Sequence, residues 1–290
     1  MFIITNALLR FFSMFLVSTK KNDMKKKLPF LAAALALLSL NACNKSKSRT
    51  TVPCIPASLQ SSVLAFYPFD KGSLNDFSGN GHHLTNTSYN GPIADRNGNP
   101  NCAFNFADSL ENFNQYVGLT DATFLDGLTQ FSISLWYKPF DSISRLPLET
   151  LVCRTQAPNS YAPMQYSWAV ALFDCRKAVF EYTTSVWDQN ILPIGTTASC
   201  MDEVKVRTGS WHHLAATYDY AAKQIKIYRD GVLQNTETIP VNNATVQDLG
   251  YLLLGRRYQG KMDDVVLLSK TLSQAEVIAL RDMEPCCLTE

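Results

Sequence analysis

Apolar and polar residues alternate with a period of two along several segments in the second half of the chain. In "FSISLWYKP" (131–139) alternate positions hold Phe131, Ile133, Leu135 and Tyr137, which this period places on one face of a strand. Further strand patterns are "YSWAVALF", "AVFEY", "WHHLAATY", "QIKIYR" and "YLLLG". Asp230-Gly231 in "YRDGVLQ" is a two-residue hairpin signal. These segments predict an antiparallel, all-β domain.

One segment near the C-terminus has a helical pattern instead. "SQAEVIALRDM" begins with the capping-box spacing of Ser273 and Glu276, and its apolar stripe is Val277, Ile278 and Leu280. Many short strands and one helix predict a two-sheet jelly-roll sandwich rather than a barrel with a pore. We expect this domain to span residues 63–285, with a C-terminal tail at 286–290.

The N-terminal part is typical of an export signal. Residues 24–42 combine lysines, an apolar run and a small residue before Cys43. The ending "LNAC" resembles the lipobox of bacterial lipoproteins, in which this cysteine is lipidated; ordinary cleavage near Ala42 is the alternative. We interpret residues 1–23 as lying upstream of a true start at Met24, although a first anchor helix is an alternative. The polar stretch 43–62 predicts a flexible tether.

Removal of residues 1–42 takes away six basic side chains and one acidic side chain, which leaves 20 basic and 24 acidic ones. The resulting net charge of about −4 gives no reason to expect a nucleic-acid partner. The expected membrane contact is the lipid on Cys43. This predicts an exported protein at the outer membrane, facing the periplasm or the cell surface.

Seven cysteines follow Cys43, and in an exported chain we interpret them first as disulfide partners. No CxxC pair occurs, which argues against a zinc ribbon. Cys54 could bond to Cys286 or Cys287, whereas these two neighbours are too strained to bridge each other. Since the number is odd, at least one thiol is left over or pairs between molecules. The seven are Cys54, Cys102, Cys153, Cys175, Cys200, Cys286 and Cys287.

Four segments together resemble one family, the laminin-G-like jelly roll of the concanavalin A-like lectin and glucanase class in bacterial exported proteins. They are "LAFYPFDKGSLNDFSGNGHHLT" (64–85), "FSISLWYKP", "GSWHHLAATYDYAAKQIKIYRDGVL" (209–233) and "GRRYQGKMDDVVLLSKTLSQAEVIAL" (255–280). Proteins of this class bind sugars or proteins, brace catalytic domains or hydrolyse polysaccharides, so the function has to be argued from the site.

The resemblance also implies one structural calcium ion, bound by Asp70, Asp76 and Asp263. The oxygen-rich loop "DFSGNG" (76–81) suits such a hard cation. Asp264 is expected on the opposite strand face. The alternative is that the loop is a turn stabilised by Asx and glycine chemistry, with Asp263 capping backbone amides.

A sugar site needs an aromatic platform beside hydrogen-bonding side chains. Trp187 is the first candidate because Asp188, Gln189 and Asn190 follow it. The alternative is that the tryptophan belongs to the core. Weaker candidates are Tyr161, Tyr166, Trp168 and Trp136.

The four histidines form two pairs, in "GHHL" (81–84) and "WHHL" (211–214). Strand alternation places His212 and His213 on opposite faces, so that they cannot chelate one ion together. We expect His213 to be a hydrogen-bonded core residue. Since oxygen-rich surroundings beside the first pair suit calcium better than zinc, no zinc ion is expected.

Hydrolytic members of the class use glutamates packed into a few alternating strand positions. In this chain Glu111, Glu149, Glu181, Glu203 and Glu237 are widely separated. We therefore predict a non-catalytic, membrane-anchored binding module outside the cytoplasm, for carbohydrate binding or adhesion. The alternatives are a structural or protein-interaction module of a cell-envelope complex, with an envelope protein as partner, and a glycoside hydrolase.

Overall fold

The computed structural model describes residues 52–87, 91–107, 116–140, 148–156, 166–173, 177–185, 188–193, 209–238 and 250–287. The strands are β1 (Val63–Tyr67), β2 (Thr85–Asn86), β3 (Gly91–Ile93), β4 (Ala103–Ala107), β5 (Val117–Leu119), β6 (Gln130–Pro139), β7 (Leu148–Thr155), β8 (Tyr166–Phe173), β9 (Lys177–Ser185), β10 (Asp188–Pro193), β11 (His212–Asp219), β12 (Gln224–Arg229), β13 (Val232–Thr238), β14 (Tyr251–Leu254) and β15 (Gln259–Leu268). The helix α1 spans Gln274–Arg281.

The signal peptide, the start at Met1 or Met24 and the lipidation site Cys43 lie outside the described residues. Within the described ranges, no helix is long and apolar enough to cross a membrane.

The described strands pair in two antiparallel sheets. Sheet A has the order β13-β12-β11-β6-β15-β4-β3, with β1 also paired to β15. Sheet B has the order β10-β9-β8-β7-β14-β5-β2. The predicted all-β, two-sheet sandwich with one C-terminal helix is confirmed.

The core between the sheets follows the alternation predicted from the sequence. Phe131, Ile133, Leu135 and Tyr137 of β6 are all buried in it. The ring of Phe131 stacks on Tyr218 of β11, with the ring centres 5.2 Å apart. Because alternate side chains of a strand point to opposite faces, the intervening residues of β6 lie on the outer face of sheet A.

A second apolar cluster covers part of the outer face of sheet A. Val277 and Leu280 of α1 pack there with Val52, Ile55 and Leu59 from the segment before β1. The predicted tether is therefore wrong for residues 52–62. These three apolar side chains are buried, so this segment is part of the domain.

Two disulfides fasten the C-terminal tail to the domain. Cys54 bonds to Cys286, which is one of the two predicted options, and Cys102 bonds to Cys287. The first residues of the predicted tail 286–290 therefore belong to the domain. Cys153 is a buried free thiol. Cys175 and Cys200 lie outside the described residues.

Local signals predicted the helix and one hairpin correctly. Ser273 and Glu276 form the predicted capping box, although Ile278 of the apolar stripe is only half-buried. Asp230 and Gly231 join β12 to β13 with φ angles of 51° and 78°. Positive φ at both positions is the geometry of a tight two-residue hairpin turn.

Candidate functional site

Three of the predicted sugar-contacting residues lie in sheet B. Tyr166 is the first residue of β8, and Asp188 and Asn190 are in β10, the edge strand. Trp187 and Tyr161 lie outside the described residues. The pairing of the strands shows where Tyr166, Asp188 and Asn190 lie relative to one another.

The register brings these three residues to one end of neighbouring strands. Asn190 pairs with Tyr182 of β9, and Tyr182 pairs with Trp168 of β8. Strands β8 and β10 run parallel to each other because each is antiparallel to β9. The paired residues Asn190, Tyr182 and Trp168 form a row across the three strands. Tyr166 lies two residues before Trp168, and Asp188 lies two residues before Asn190. Both therefore lie on the same side of this row.

Two tryptophans considered for the sugar site lie elsewhere. Trp168 is 2% exposed and belongs to the core between the sheets, so its assignment to a sugar site is wrong. Trp136 lies on the outer face of sheet A, beneath Arg96. The core and sheet A therefore account for these two tryptophans.

The outer face of sheet B carries a buried thiol beside charged groups. Cys153 pairs with Ala169, and Ala169 pairs with Glu181. Burial raises the pKa of Cys153 to about 12, although Arg256 opposes this shift. The thiol is therefore protonated at neutral pH and is a poor nucleophile.

Asp76, the first predicted calcium ligand, is occupied by hydrogen-bond donors. Its Oδ1 accepts from the backbone N–H groups of Phe66 at 3.0 Å and Ser78 at 2.9 Å. Its Oδ2 accepts from the Ser78 hydroxyl at 2.7 Å and the His82 N–H at 3.0 Å. This is the arrangement of the alternative interpretation, a turn stabilised by an Asx side chain.

The other two predicted ligands lie in different surroundings. Asp70 and Asp263 are both buried, and each keeps one carboxylate oxygen without a hydrogen-bond partner in the described structure. The group of candidate ligand atoms around Asp70 contains the sulfurs of Cys102 and Cys287, within 4.8 Å, which are already bonded to each other.

Among the described residues, Asp70, Asp76 and Asp263 do not form a set of mutually close ligand atoms. The residues present therefore do not fit one ion bound by all three carboxylates.

Arg96 occupies the position beside Asp263. Its Nη1 lies 2.7 Å from Oδ2 of Asp263 and 2.7 Å from Oδ2 of Asp264, and its Nη2 donates to the Met283 carbonyl at 2.6 Å. Burial raises the pKa of both carboxyl groups, and the guanidinium opposes the shift. The cation that these carboxylates hold is thus a side chain of the protein itself.

The expected position of Asp264 on the opposite strand face is wrong. The pairing of β15 with β6 shifts register between Asp263 and Val266, and Asp264 has a φ angle of 47°. Such a β-bulge re-aims a side chain. It brings both carboxylates to the same guanidinium.

His213 is buried and hydrogen-bonded, as predicted. Its Nε2 lies 2.8 Å from the Ser134 hydroxyl, and burial lowers its pKa to about 3. Its Nδ1 has no hydrogen-bond partner in the described structure. Asp230 instead accepts from the His213 backbone N–H and lies 2.9 Å from Nδ1 of His212. This is not a Ser-His-Asp triad, in which the carboxylate must orient the histidine ring through Nδ1.

The first histidine pair is also engaged separately. The His82 ring stacks on Phe124 with 3.6 Å between ring centres, and burial lowers its pKa. His83 accepts the Asp76 backbone N–H at its Nδ1, over 3.0 Å. Both residues therefore fix the loop that follows Asp76.

A sequence match over most of the domain decides the family. Residues 110–278 match the profile of Laminin_G_3, described as the concanavalin A-like lectin/glucanases superfamily. This range covers more than half of the chain. The chain belongs to the concanavalin A-like lectin/glucanases superfamily. No match was found among curated proteins.

Solved structures share the fold of this superfamily member at low sequence identity. The binding domain of Paraclostridial Mosquitocidal Protein 1 is 15% identical with a TM-score of 0.58, over 77% of this chain and 52% of that chain. The botulinum neurotoxin serotype D ligand binding domain, in complex with N-acetylneuraminic acid, is 14% identical with a TM-score of 0.59. The match covers 78% of this chain and 52% of that chain.

The binding domain of botulinum neurotoxin DC, in complex with rat synaptotagmin II, is 15% identical with a TM-score of 0.59. The match covers 77% of this chain and 52% of that chain. The chain thus spans about half the length of these structures.

The glutamates considered as catalytic candidates in this superfamily member lie on separate strands where they are described. Glu149 and Glu181 are on β7 and β9, with β8 between them, and Glu237 is on the edge strand β13 of sheet A. Glu111 and Glu203 lie outside the described residues.

Sequence reasoning missed the role of Arg96 in this lectin-like domain. Its two acidic partners are 167 and 168 residues away in the chain. The available signal was the pair of consecutive aspartates, 263 and 264, inside an apolar strand, because buried carboxylates require a cation or donors.

Proposed function

We propose that this domain is a non-catalytic carbohydrate-binding module, which binds a glycan at the end of strands β8 to β10 where Tyr166 lies. The observation that carries the proposal is the backbone register, which places Tyr166, Asp188 and Asn190 at one end of β8 and β10, the two strands that flank β9. Aromatic, amide and carboxylate residues are the types that bind a sugar, which has an apolar ring face and polar hydroxyl groups.

Family membership supports a binding role. The superfamily is described by its lectins as well as its glucanases. Among proteins of the same fold, one structure holds N-acetylneuraminic acid and another holds synaptotagmin II. Glycans and proteins are therefore both ligand classes that this fold accommodates.

A glycan array with the purified chain tests the proposal. We expect binding to one glycan class, and Tyr166→Ala and Asn190→Ala should each weaken it about tenfold, the usual loss for an anchoring contact. Trp187→Ala tests the predicted platform in the same way. Tyr220→Ala, in the turn after β11, and Asn235→Ala, on β13, are matched controls and should bind as the wild type does. If the wild type binds no glycan on the array, or if binding survives Tyr166→Ala, Asn190→Ala and Trp187→Ala alike, the proposal is contradicted.

The alternative is a protein-interaction module of the cell envelope. It is favoured by Val232 and Leu233 on edge strand β13, which are 57% and 42% exposed. Photo-cross-linking from position 233 tests it, with position 223 as the control. An adduct with one envelope protein from position 233 alone, in a chain that binds no glycan, would replace the first proposal.

We also propose that the module is exported and anchored by a lipid on Cys43. The two disulfides support this because such bonds persist outside the reducing cytoplasm. Radiolabelled palmitate should be incorporated into the wild-type chain and not into Cys43→Ser. Equal labelling of both chains would contradict the anchor.

A further inference from the structure

The Cys102–Cys287 disulfide lies beside a buried carboxyl group. A carboxylate oxygen of Asp70 and the sulfurs of both cysteines all lie within 4.8 Å of one another. Asp70 belongs to the turn Asp70–Gly72 after β1, Cys102 directly precedes β4, and Cys287 follows α1. Three separate parts of the chain therefore bring one oxygen atom and two sulfur atoms together.

The protein around Asp70 does not satisfy its carboxyl group. The residue is 8% exposed, and its Oδ1 is buried without a hydrogen-bond partner in the described structure. No ion pair of Asp70 occurs in the described part of the chain. Burial of a carboxylate is costly unless a cation or hydrogen-bond donors compensate for its charge. The unpartnered oxygen therefore points to a positively charged ligand.

Reduction of the disulfide completes a set of anionic ligands at this position. A dithiol reductant supplies two electrons and two protons, which convert Cys102 and Cys287 into thiols, and becomes a disulfide itself. When a divalent cation binds, the two thiol protons pass to water and both sulfurs become thiolates. Thiolates and carboxylates are ligands that zinc ions use in proteins.

We propose that Asp70, Cys102 and Cys287 bind one zinc-type divalent cation in the reduced chain, and that the Cys102–Cys287 bond closes this site in the oxidised chain. A tetrahedral zinc ion with bonds of about 2.0–2.3 Å holds its ligand atoms about 3.3–3.8 Å apart, so separation of the two sulfurs is the main adjustment. Three protein ligands leave the fourth position to water. Cys287 is half-buried, which leaves an entry path for the ion.

The sulfur ligands distinguish this ion from calcium. Calcium takes about six to eight oxygen ligands, whereas thiolates select softer ions such as zinc. The expectation that no zinc ion binds rests on the histidines, and none of them belongs to this group of ligand atoms. The proposal is also independent of glycan binding, because none of its three residues lies in β8, β9 or β10.

Cobalt titration of the purified chain tests the proposal, because Co²⁺ takes the place of zinc and its bonds to thiolates absorb light. The chain is reduced with dithiothreitol, which is then removed under nitrogen. We expect the reduced wild type to bind one Co²⁺ per chain with a thiolate charge-transfer band. The oxidised chain should show no such band.

Variants identify the ligands. Cys102→Ser should abolish the band, and Asp70→Asn should weaken cobalt binding at least about tenfold, since even groups that only orient a metal ligand usually contribute this much. Asp70→Cys should bind at least as tightly as the wild type, because a thiolate is also a ligand for this ion. The matched controls are Cys54→Ser/Cys286→Ser, which removes the other described disulfide, and Asp121→Asn, which removes an exposed carboxylate. Both should bind as the wild type does.

The melting temperature gives a second readout. Zinc should raise the melting temperature of the reduced wild type and of reduced Cys54→Ser/Cys286→Ser, and should leave those of the oxidised wild type and of reduced Asp70→Asn unchanged. A purely structural role for Asp70 would instead give both reduced chains the same response to zinc.

Four results would overturn the metal site. They are no charge-transfer band in the reduced wild type, an equal band in the oxidised chain, an equal band in Cys102→Ser or Asp70→Asn, and unfolding of the reduced wild type that zinc does not reverse. Glycan binding by the oxidised chain does not depend on any of these outcomes.

Discussion

The guanidinium carbon of Arg96 lies 4.6 Å from the centre of the Trp136 ring, so a buried cation rests on an aromatic face of sheet A. This contact is favourable in a desolvated position. The same guanidinium binds Asp263 and Asp264 and reaches the Met283 carbonyl. Arg96 thus connects strand β6, strand β15 and the segment that follows α1.

Replacement of Arg96 should destabilise the domain strongly. Arg96→Met leaves two buried carboxylates without their cation, which we expect to cost about 3–5 kcal/mol of unfolding free energy. Arg96→Lys should cost less, since it keeps the charge but loses the planar fork. Urea unfolding measures the difference. A loss below about 1 kcal/mol for Arg96→Met would mean that the carboxyl groups are stable without the guanidinium.

The parts of the fold that follow local rules could be predicted from the sequence. The period of two located β6, β8 and β12, and the capping box located α1, because each signal lies within about ten neighbouring residues. The Asp230-Gly231 turn was predicted for the same reason. No long-range information was needed for any of these elements.

The parts that depend on distant contacts could not be predicted. The bulge at Asp264 requires a positive φ angle in a residue that is not glycine, for which the sequence gives no sign. Residues 52–62 look polar, and only Val52, Ile55 and Leu59 join the second apolar cluster on the outer face of sheet A. Their burial depends on α1 and on the Cys54–Cys286 bond, more than 200 residues away.

Addition of calcium tests whether the domain binds the ion that the family resemblance implies. Because Asp76 is occupied by donors and Asp263 by Arg96, we expect the melting temperature to differ by less than about 1 °C between EDTA and about 5 mM calcium. Differential scanning fluorimetry measures this, with magnesium as the control cation. A calcium-specific rise of several degrees that is lost in Asp70→Asn would show that an ion does bind at the predicted loop.

Removal of the Cys54–Cys286 bond should loosen the first segment of the domain. The double variant Cys54→Ser/Cys286→Ser should lose about 2–5 kcal/mol of unfolding free energy, the usual effect of a native disulfide that closes a long loop. Limited proteolysis should cut residues 52–62 in this variant first. Cys153→Ala, which keeps both bonds, is the control. A peptide map that joins Cys54 to Cys287 would contradict the connectivity.

Acid should destabilise the domain through His213. Burial lowers its pKa from 6.5 to about 3, with Arg96 and Arg281 adding to the shift and Asp230 opposing it. Between these values the unfolded chain binds a proton that the folded chain does not, so stability is full above about pH 6.5 and falls as the pH decreases. The expected slope is up to about 1.4 kcal/mol per pH unit.

The raised pKa of Asp264 acts in the opposite direction, because that carboxyl group favours the folded state as it becomes protonated. Urea unfolding of the wild type and of His213→Asn between pH 7 and 4 isolates the histidine, since the carboxyl contribution is common to both chains. The wild type should lose stability more steeply than His213→Asn, and parallel curves would show that His213 is protonated in the folded protein as readily as in the unfolded chain.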